Sequence, residues 1–233
     1  MRVLFAVLAL LPTLTACEKP SESSLPICKT SDSYWKNCFG RLEYPPPGEP
    51  GRPPPNVYVG EFKNHQRHGR GTMTSNEEAT LYSLECYKGD WKYEGDWWKY
   101  EGDWRDDKRN GQGIATALPS VLAGVLGPRS SRYEGGWKDD RHHGEGTLIC
   151  DGHPRFANYT FVGNWEEGMF VRGKVTNTNS TRDSFFWRAL ETGDRFHTYE
   201  GEWDLYGPTQ GTMTSHNGIV LSGRWKDGKF LGP

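Results

Sequence analysis

The stretch Tyr133–Ile149, YEGGWKDDRHHGEGTLI, carries the pattern that decides the fold. Tyr133 and Trp137 lie at alternate positions around Gly135, so in an extended chain both rings point to the same face. The polar run that starts at Lys138 provides a turn, and the GTLI that follows provides a return strand. The stretch therefore predicts a β-hairpin with aromatic rings on one face.

The unit aromatic-x-Gly-x-aromatic recurs along the chain. Copies begin at Tyr58, Tyr87, Tyr93, Tyr100, Tyr133, Phe161 and Tyr199, and a degenerate copy begins at Leu221. Seven of the ten tryptophans occupy the last position of the unit: Trp91, Trp97, Trp104, Trp137, Trp165, Trp203 and Trp225. Because a lone hairpin is marginal in water, we expect successive copies to pair edge to edge and bury a continuous ladder of rings.

A second glycine signal follows at a fixed distance. Three copies carry a glycine pair nine and eleven residues after the first glycine: Gly69/Gly71 after Gly60, Gly111/Gly113 after Gly102, and Gly144/Gly146 after Gly135. In the copies from Phe161 and Tyr199 a single late glycine remains at offset ten, which predicts a turn one residue shorter. Glycine normally weakens a strand, so its recurrence indicates a close approach of rings or backbone. We expect the rings of one copy to pack over the glycines of the next.

The complete pattern resembles the MORN repeat (membrane occupation and recognition nexus) over most of residues 58–233. The resemblance implies an all-β fold, an elongated antiparallel sheet of stacked β-hairpins with about six hairpins and roughly twelve strands. Regular copies lie near 58–75, 100–116 and 133–150, and degenerate copies lie near 161–176, 199–215 and 221–233. The predicted repeat-core residues are Tyr58, Gly60, Phe62, Gly71, Tyr100, Gly102, Trp104, Gly113, Tyr133, Gly135, Trp137, Gly146, Phe161, Gly163, Trp165, Tyr199, Gly201, Trp203, Gly223 and Trp225.

The first sixteen residues, MRVLFAVLALLPTLTA, have the layout of a signal peptide: one basic residue, an apolar run and small residues. The sequence Leu-Thr-Ala-Cys that ends at Cys17 resembles the lipobox of bacterial lipoproteins. The resemblance implies lipidation of Cys17, with residues 17–27 as a lipid-anchored linker, and Glu18 favours the outer over the inner membrane. The alternative is ordinary cleavage nearby with Cys17 as a free thiol.

Four cysteines remain after Cys17, an even number that favours disulfides in an exported chain, with three possible pairings. Cys28 and Cys38 enclose a short loop and are expected to pair. Cys86 with Cys150 is the default second bridge. A metal site would need CxxC or His/Cys spacing, and neither occurs in the sequence, so no zinc is expected.

Residues 28–57 form a Cys-bounded cap and a Pro-rich spacer ahead of the array, because PPPGEPGRPPP cannot join a sheet. Three segments interrupt the repeat pattern. Residues 87–104 repeat the first strand without return strands and form a long aromatic strand or a bulged loop. Residues 117–131 fold back over the aromatic face or contact a membrane or partner, and residues 184–190 are a candidate short helix with the same two interpretations.

Charge and motifs restrict the function. With 28 basic and 30 acidic side chains, nucleic-acid binding has no electrostatic support. The sequence contains no Gly-x-Ser-x-Gly elbow, HExxH pair, phosphate loop or kinase signature, so we expect neither an enzyme nor a cofactor. His68 and His143 take equivalent positions that we assign to turns, but Asn110 interrupts the row, which argues against a ligand role.

The sequence thus favours a non-catalytic scaffold or protein-interaction module, anchored in the cell envelope by N-terminal acyl chains and facing an envelope protein partner. The outer membrane, facing the periplasm or the surface, is the expected location. The alternative is a module that binds glycans or lipid head groups through exposed rings. If the source were a eukaryote, Asn158 and Asn179 would instead be glycosylation candidates.

Overall fold

A computed structural model of the chain describes residues 23–29, 34–44, 56–75, 98–117, 130–151, 159–177 and 196–233. Within them thirteen strands form one sheet whose spatial order follows the chain order. The strands are β1 (Asn37–Tyr44), β2 (Asn56–Lys63), β3 (Gln66–Ser75), β4 (Trp98–Arg105), β5 (Lys108–Ala117), β6 (Ser130–Lys138), β7 (Arg141–Asp151), β8 (Tyr159–Glu166), β9 (Met169–Asn177), β10 (Phe196–Asp204), β11 (Gly207–Ser215), β12 (Val220–Lys226) and β13 (Lys229–Gly232). Every neighbouring pair is antiparallel, which confirms the predicted all-β sheet of hairpins.

The strands from β2 to β13 make six hairpins, which we number 1 to 6 in chain order. All six are closed by two-residue turns: 64–65, 106–107, 139–140, 167–168, 205–206 and 227–228. Both turn residues have positive φ in five of the hairpins, as a type I′ turn requires, and Asn, Asp or Gly supplies most of these positions. The turn of hairpin 5 differs: the Asp204 carboxylate accepts hydrogen bonds from the backbone N–H groups of Tyr206 (2.8 Å) and Gly207 (3.1 Å).

A β-bulge follows each turn on the return strand. In hairpin 1 the pairing jumps from Gly60↔Gly71 to Phe62↔Arg67, which leaves three residues of β3 opposite one residue of β2. Gly69 lies in this bulge with φ of +60°, a left-handed conformation that glycine adopts without steric cost. Hairpins 2 and 3 repeat the arrangement.

Hairpins 4 and 5 have a shorter bulge, and the prediction of a shorter turn is wrong. In hairpin 4 only two residues of β9 separate Gly173, which pairs with Gly163, from Phe170, which pairs with Trp165. Its turn still contains two residues. The residue missing from the sequence pattern is the bulge glycine, whereas the glycine that pairs across the hairpin is kept.

The first strand comes from the cap, which is why the sheet has thirteen strands. Residues 26–28 lie along the outer edge of β1: Cys28 N–H donates to the Phe39 carbonyl and Phe39 N–H donates to the Pro26 carbonyl, both at 2.8 Å. The Cys28–Cys38 disulfide, predicted from the spacing, ties this segment to β1. The cap therefore covers an edge that would otherwise present unpaired backbone groups.

Several sequence predictions concern residues outside the described part of the chain. These are the signal peptide and Cys17, the Pro-rich run 45–55, Cys86 with the copies that begin at Tyr87 and Tyr93, most of the insertion 117–131, the segment 184–190, and Asn158 and Asn179. Cys150 is buried in β7, and its pairing with Cys86 stays a prediction.

Candidate interaction surface

Tyrosines at the first position of the repeat pack onto the glycines of their own hairpin. A Cβ added at Gly71 would lie less than 3.0 Å from the Tyr58 ring, and one at Gly146 would meet Tyr133 in the same way. The prediction that rings cover the glycines of the next copy is therefore wrong for the tyrosines. The reason is geometric. Tyr58 and Gly60 lie two residues apart on one face of β2, so the Tyr58 ring lies flat along its own strand and covers Gly60 and its cross-strand partner Gly71.

Each of these tyrosines also closes a hydrogen bond within its own strand. The hydroxyl donates to the carbonyl three residues later, from Tyr58 to Glu61 (3.0 Å) and from Tyr133 to Gly136 (3.0 Å). Tyr100 and Tyr199 do the same. All four rings are fully buried. Burial raises the pKa of Tyr100, Tyr133 and Tyr199 far above its ordinary value, so these hydroxyls remain neutral donors.

Tryptophans at the last position connect one hairpin to the hairpin before it. The indole N–H of Trp104 donates to the Gly71 carbonyl of hairpin 1 at 3.1 Å. The same bond runs from Trp137 to Gly113, from Trp165 to Gly146 and from Trp225 to Gly211, at 3.1 to 3.3 Å. The late glycine of each of these hairpins therefore serves two rings, its own tyrosine and the tryptophan of the next hairpin.

Edge-to-face ring contacts make this ladder continuous. Tyr100 meets Trp104 of its own hairpin at 5.1 Å and Trp137 of the next hairpin at 5.2 Å, with the ring planes nearly perpendicular. Such pairs contribute about 0.5 to 1.5 kcal/mol each beyond their buried area. Because every tyrosine or phenylalanine of the ladder repeats this geometry, the rings form a structural core along one face of the sheet.

A polar column in hairpins 1 to 3 was not anticipated from the sequence. We use the word column for one position of all six hairpins, the second residue after the turn, which pairs with the last aromatic of the repeat. It is polar in hairpins 1 to 3 only, and its members are Arg67, Arg109, His142, Phe170, Pro208 and Phe230. The Arg109 guanidinium lies 4.4 Å from the Trp137 ring centroid and donates to the Asp140 carboxylate (3.0 Å) and carbonyl (2.9 Å). Arg67 makes the same contacts with Trp104 and Asp107.

The column changes chemistry at hairpin 3. His142 is fully buried and stacks on Tyr133 with 3.6 Å between ring centroids, and it meets Trp137 and Trp165 edge on. Burial, followed by the nearby charge of Arg109, holds the pKa of His142 well below its ordinary value. The imidazole is therefore a neutral ring of the core. From hairpin 4 onward the column is apolar, with Phe170 2% exposed.

The histidines His68 and His143 lie within the bulges of the return strands, so their assignment to turns is wrong. The Nδ1 atom of His68 lies 3.5 Å from the Asp106 carboxylate of the next turn. Within the described residues no three His, Cys, Asp or Glu side chains are placed to share a metal ion. No helix of the described residues is long and apolar enough to span a membrane.

Outward-facing apolar side chains concentrate in hairpins 4 to 6. The exposed large hydrophobic residues of this half are Val162, Met169, Leu205, Tyr206, Ile219, Val220 and Leu231. Tyr206 is 71% exposed at the unusual turn of hairpin 5, beside Leu205 at 46%. In hairpins 2 and 3 both turn residues are aspartates, and the second of each, Asp107 or Asp140, pairs with an arginine of the preceding hairpin.

The described glycines and rings of the predicted repeat core all lie in this ladder. Its aromatic members are at most 6% exposed, and Gly60/Gly71, Gly102/Gly113, Gly135/Gly146, Gly163/Gly173, Gly201/Gly211 and Gly211/Gly223 pair across strands. The sequence pattern thus located the rings and glycines. It did not show which ring uses which glycine, because that depends on the register between hairpins.

Stacked hairpins that each contact only their neighbours define a repeat protein with a one-dimensional array. Three of the six hairpins match the model of the MORN repeat, at residues 58–77, 100–116 and 133–153, so the chain contains MORN repeats. A search of curated proteins gives no match. The presence of MORN repeats indicates a module for protein or membrane interaction.

Proposed function

We propose that this protein is a non-catalytic scaffold of a bacterial cell envelope, anchored by acyl chains on Cys17 and presenting the hairpin array to a protein partner. The anchor rests on the sequence Leu-Thr-Ala-Cys that ends at Cys17, after an apolar run of signal-peptide length. Two or three acyl chains give lasting attachment, because each buried CH₂ contributes about 0.8 kcal/mol.

The observation that carries the scaffold assignment is the burial of the aromatic ladder. Its rings and indole N–H groups join one hairpin to the next, and its tyrosine hydroxyls bond within their own strands, which makes the array stiff and leaves ligand contact to the turns and the outer face. A partner would contact the apolar side chains Met169, Leu205 and Tyr206, which lie at or beside the turns of hairpins 4 and 5. Stacking of sugars on ladder rings is less favoured, since those rings are not accessible.

The anchor is tested by the intact mass of the N-terminus from native membranes and by Cys17→Ser. We expect an acylated N-terminal cysteine in the wild-type chain and loss of membrane association in the variant. Liposome flotation of the Cys17→Ser protein separates the two modes of attachment. Flotation of that variant would show that the array itself binds lipid, and an unmodified wild-type N-terminus would contradict the anchor.

Partner contact is tested by placing a photo-crosslinking amino acid at Tyr206 and, as a matched position, at Asp107, the equivalent turn residue of hairpin 2. We expect a discrete adduct from position 206 that Leu205→Ser abolishes, and none from position 107. Equal labelling from both turns would count against a partner site in the C-terminal half. Binding to a glycan array that survives in the Cys17→Ser protein and is lost in Tyr206→Ser would favour the glycan alternative.

A further inference from the structure

The face opposite the ladder carries a shallow cavity of about 170 Å³ where the cap meets hairpins 1 and 2. Its lining includes the apolar side chains of Phe39 and Val59 and the charged side chains of Glu61, Arg70 and Glu101. For comparison, a cavity of about 150 Å³ holds a benzene molecule. The space is therefore suited to a single side-chain-sized group.

The cap provides the apolar wall of this cavity. Phe39 is 2% exposed, yet it is outside the aromatic cluster of the ladder face. It lies on β1, which the Cys28–Cys38 disulfide and the strand-like residues 26–28 hold in place. Gly71 and Gly102, which pair across β3 and β4, also border the cavity.

One of the carboxylates that line the cavity forms no ion pair with a described residue. Arg70 lies 3.7 Å from Asp103, and Lys99 lies 2.8 Å from Glu101. Glu61 is half-buried, and among the described residues no cation lies within ion-pair distance of its carboxylate. A half-buried carboxylate beside an apolar wall attracts a cation more strongly than an exposed one, because its surroundings are less polar than water.

We propose that this cavity binds an alkylammonium or guanidinium group carried on an aliphatic stem. The cationic head donates hydrogen bonds to Glu61, and the stem packs on the exposed part of Val59 beside the edge of Phe39, as lysine and arginine stems do on apolar surfaces. The group would come either from a free amine or from a basic side chain of a polypeptide. This site is independent of the proposed anchor and of the turn residues assigned to partner contact.

The test is an NMR titration of the purified full chain with 1,5-diaminopentane and with the capped tripeptide acetyl-Gly-Lys-Gly-amide. We expect saturable shifts of the Val59 and Thr72 backbone amides with a dissociation constant on the order of 1 mM, as suits one ion pair and a small apolar contact. Tighter binding of the diamine would identify a free amine as the source, and tighter binding of the tripeptide would identify a polypeptide. No saturable shift with either probe would overturn the proposal.

Glu61→Gln keeps the shape of the side chain and removes its charge, so it should weaken binding at least about tenfold. Glu202→Gln is the matched control, since Glu202 has the same position in hairpin 5 without the wall from the cap, and it should leave binding unchanged. Val59→Thr keeps the β-branched shape and removes apolar surface, and a loss of about threefold is expected. Equal effects of the two glutamate variants would show non-specific attraction to acidic side chains and would contradict the site.

Discussion

Hairpins 1 to 3 and hairpins 4 to 6 reach the same ring ladder by different chemistry. In the first half, the column beside the turn is Arg67, Arg109 and His142, and the aspartates of the following turns hold the arginines in place. In the second half, Phe170 and Phe230 fill the same place. The hairpin therefore requires a flat or stem-like group against its last aromatic, and either a paired cation or an apolar ring can supply it.

The two halves also differ in what their turns offer to solvent. The aspartates at turns 106–107 and 139–140 form ion pairs with side chains of the neighbouring hairpin, whereas Leu205 and Tyr206 of hairpin 5 are exposed to solvent. A turn that no longer stabilises its neighbour is available for contact with other molecules. This is the physical reason why we propose, and do not observe, partner contact in the second half.

The sharpest way to break the shared ladder is Gly146→Ala. The added methyl would overlap the Tyr133 ring, and such overpacking should lower the free energy of unfolding by roughly 3 kcal/mol. Gly144→Ala, two residues earlier on the same strand, meets nothing within 4 Å but must adopt φ near +73°, so we expect about 1 to 2 kcal/mol. Urea denaturation measures both, and the reverse order would contradict the assigned roles of the two glycines.

Replacing a column arginine by phenylalanine tests whether a paired cation and an apolar ring stabilise the hairpin equally well. Arg109 is 6% exposed while the Asp140 side chain is 45% exposed, so Arg109→Ala should cost about 2 kcal/mol, mostly from lost packing on Trp137. Arg109→Phe copies Phe170 and should recover at least about 1 kcal/mol of that loss. If the phenylalanine variant were as unstable as the alanine variant, the equivalence of the halves would be wrong.

The column also predicts a pH dependence confined to hairpin 3. The folded protein holds the pKa of His142 well below 6.5, so below pH 6.5 the unfolded chain binds more protons than the folded one. The free energy of unfolding should therefore fall as the pH decreases through this range, by up to about 1.4 kcal/mol per pH unit until the folded-state pKa is reached. His142→Phe should remove this contribution, as measured by urea denaturation between pH 5 and pH 8. An unchanged slope would place the dependence elsewhere.

The smallest effect is expected at the turn of hairpin 5. Tyr206→Ser alters an exposed side chain, so the free energy of unfolding should stay within about 0.5 kcal/mol of wild type. Asp140→Asn, at the equivalent turn position of hairpin 3, removes the charge that holds Arg109 and should cost roughly 1 kcal/mol. Equal costs in the two turns would remove the distinction drawn between the halves.

Much of the fold follows from spacing that is visible in the sequence. The alternation in YEGGW placed Tyr133 and Trp137 on one face, and the short loop between Cys28 and Cys38 predicted their disulfide. The shorter glycine spacing of hairpins 4 and 5 reflects a shorter bulge and not a shorter turn. The spacing alone does not show at which point of the hairpin the residue is missing. The pairing of residues 26–28 with β1 is not predicted by the sequence, because a short segment that covers a sheet edge has no periodic pattern of its own.

The sequence by itself determined the repeating unit, since the 2-residue period of a strand assigns each ring to a face without knowledge of its neighbours. Only the tertiary structure decided which groups meet across hairpins: Trp104 with the carbonyl of Gly71, Arg109 with Asp140, and Phe39 with the cavity at Glu61. These contacts depend on register, which is a property of two strands together. A pattern along one strand does not contain it.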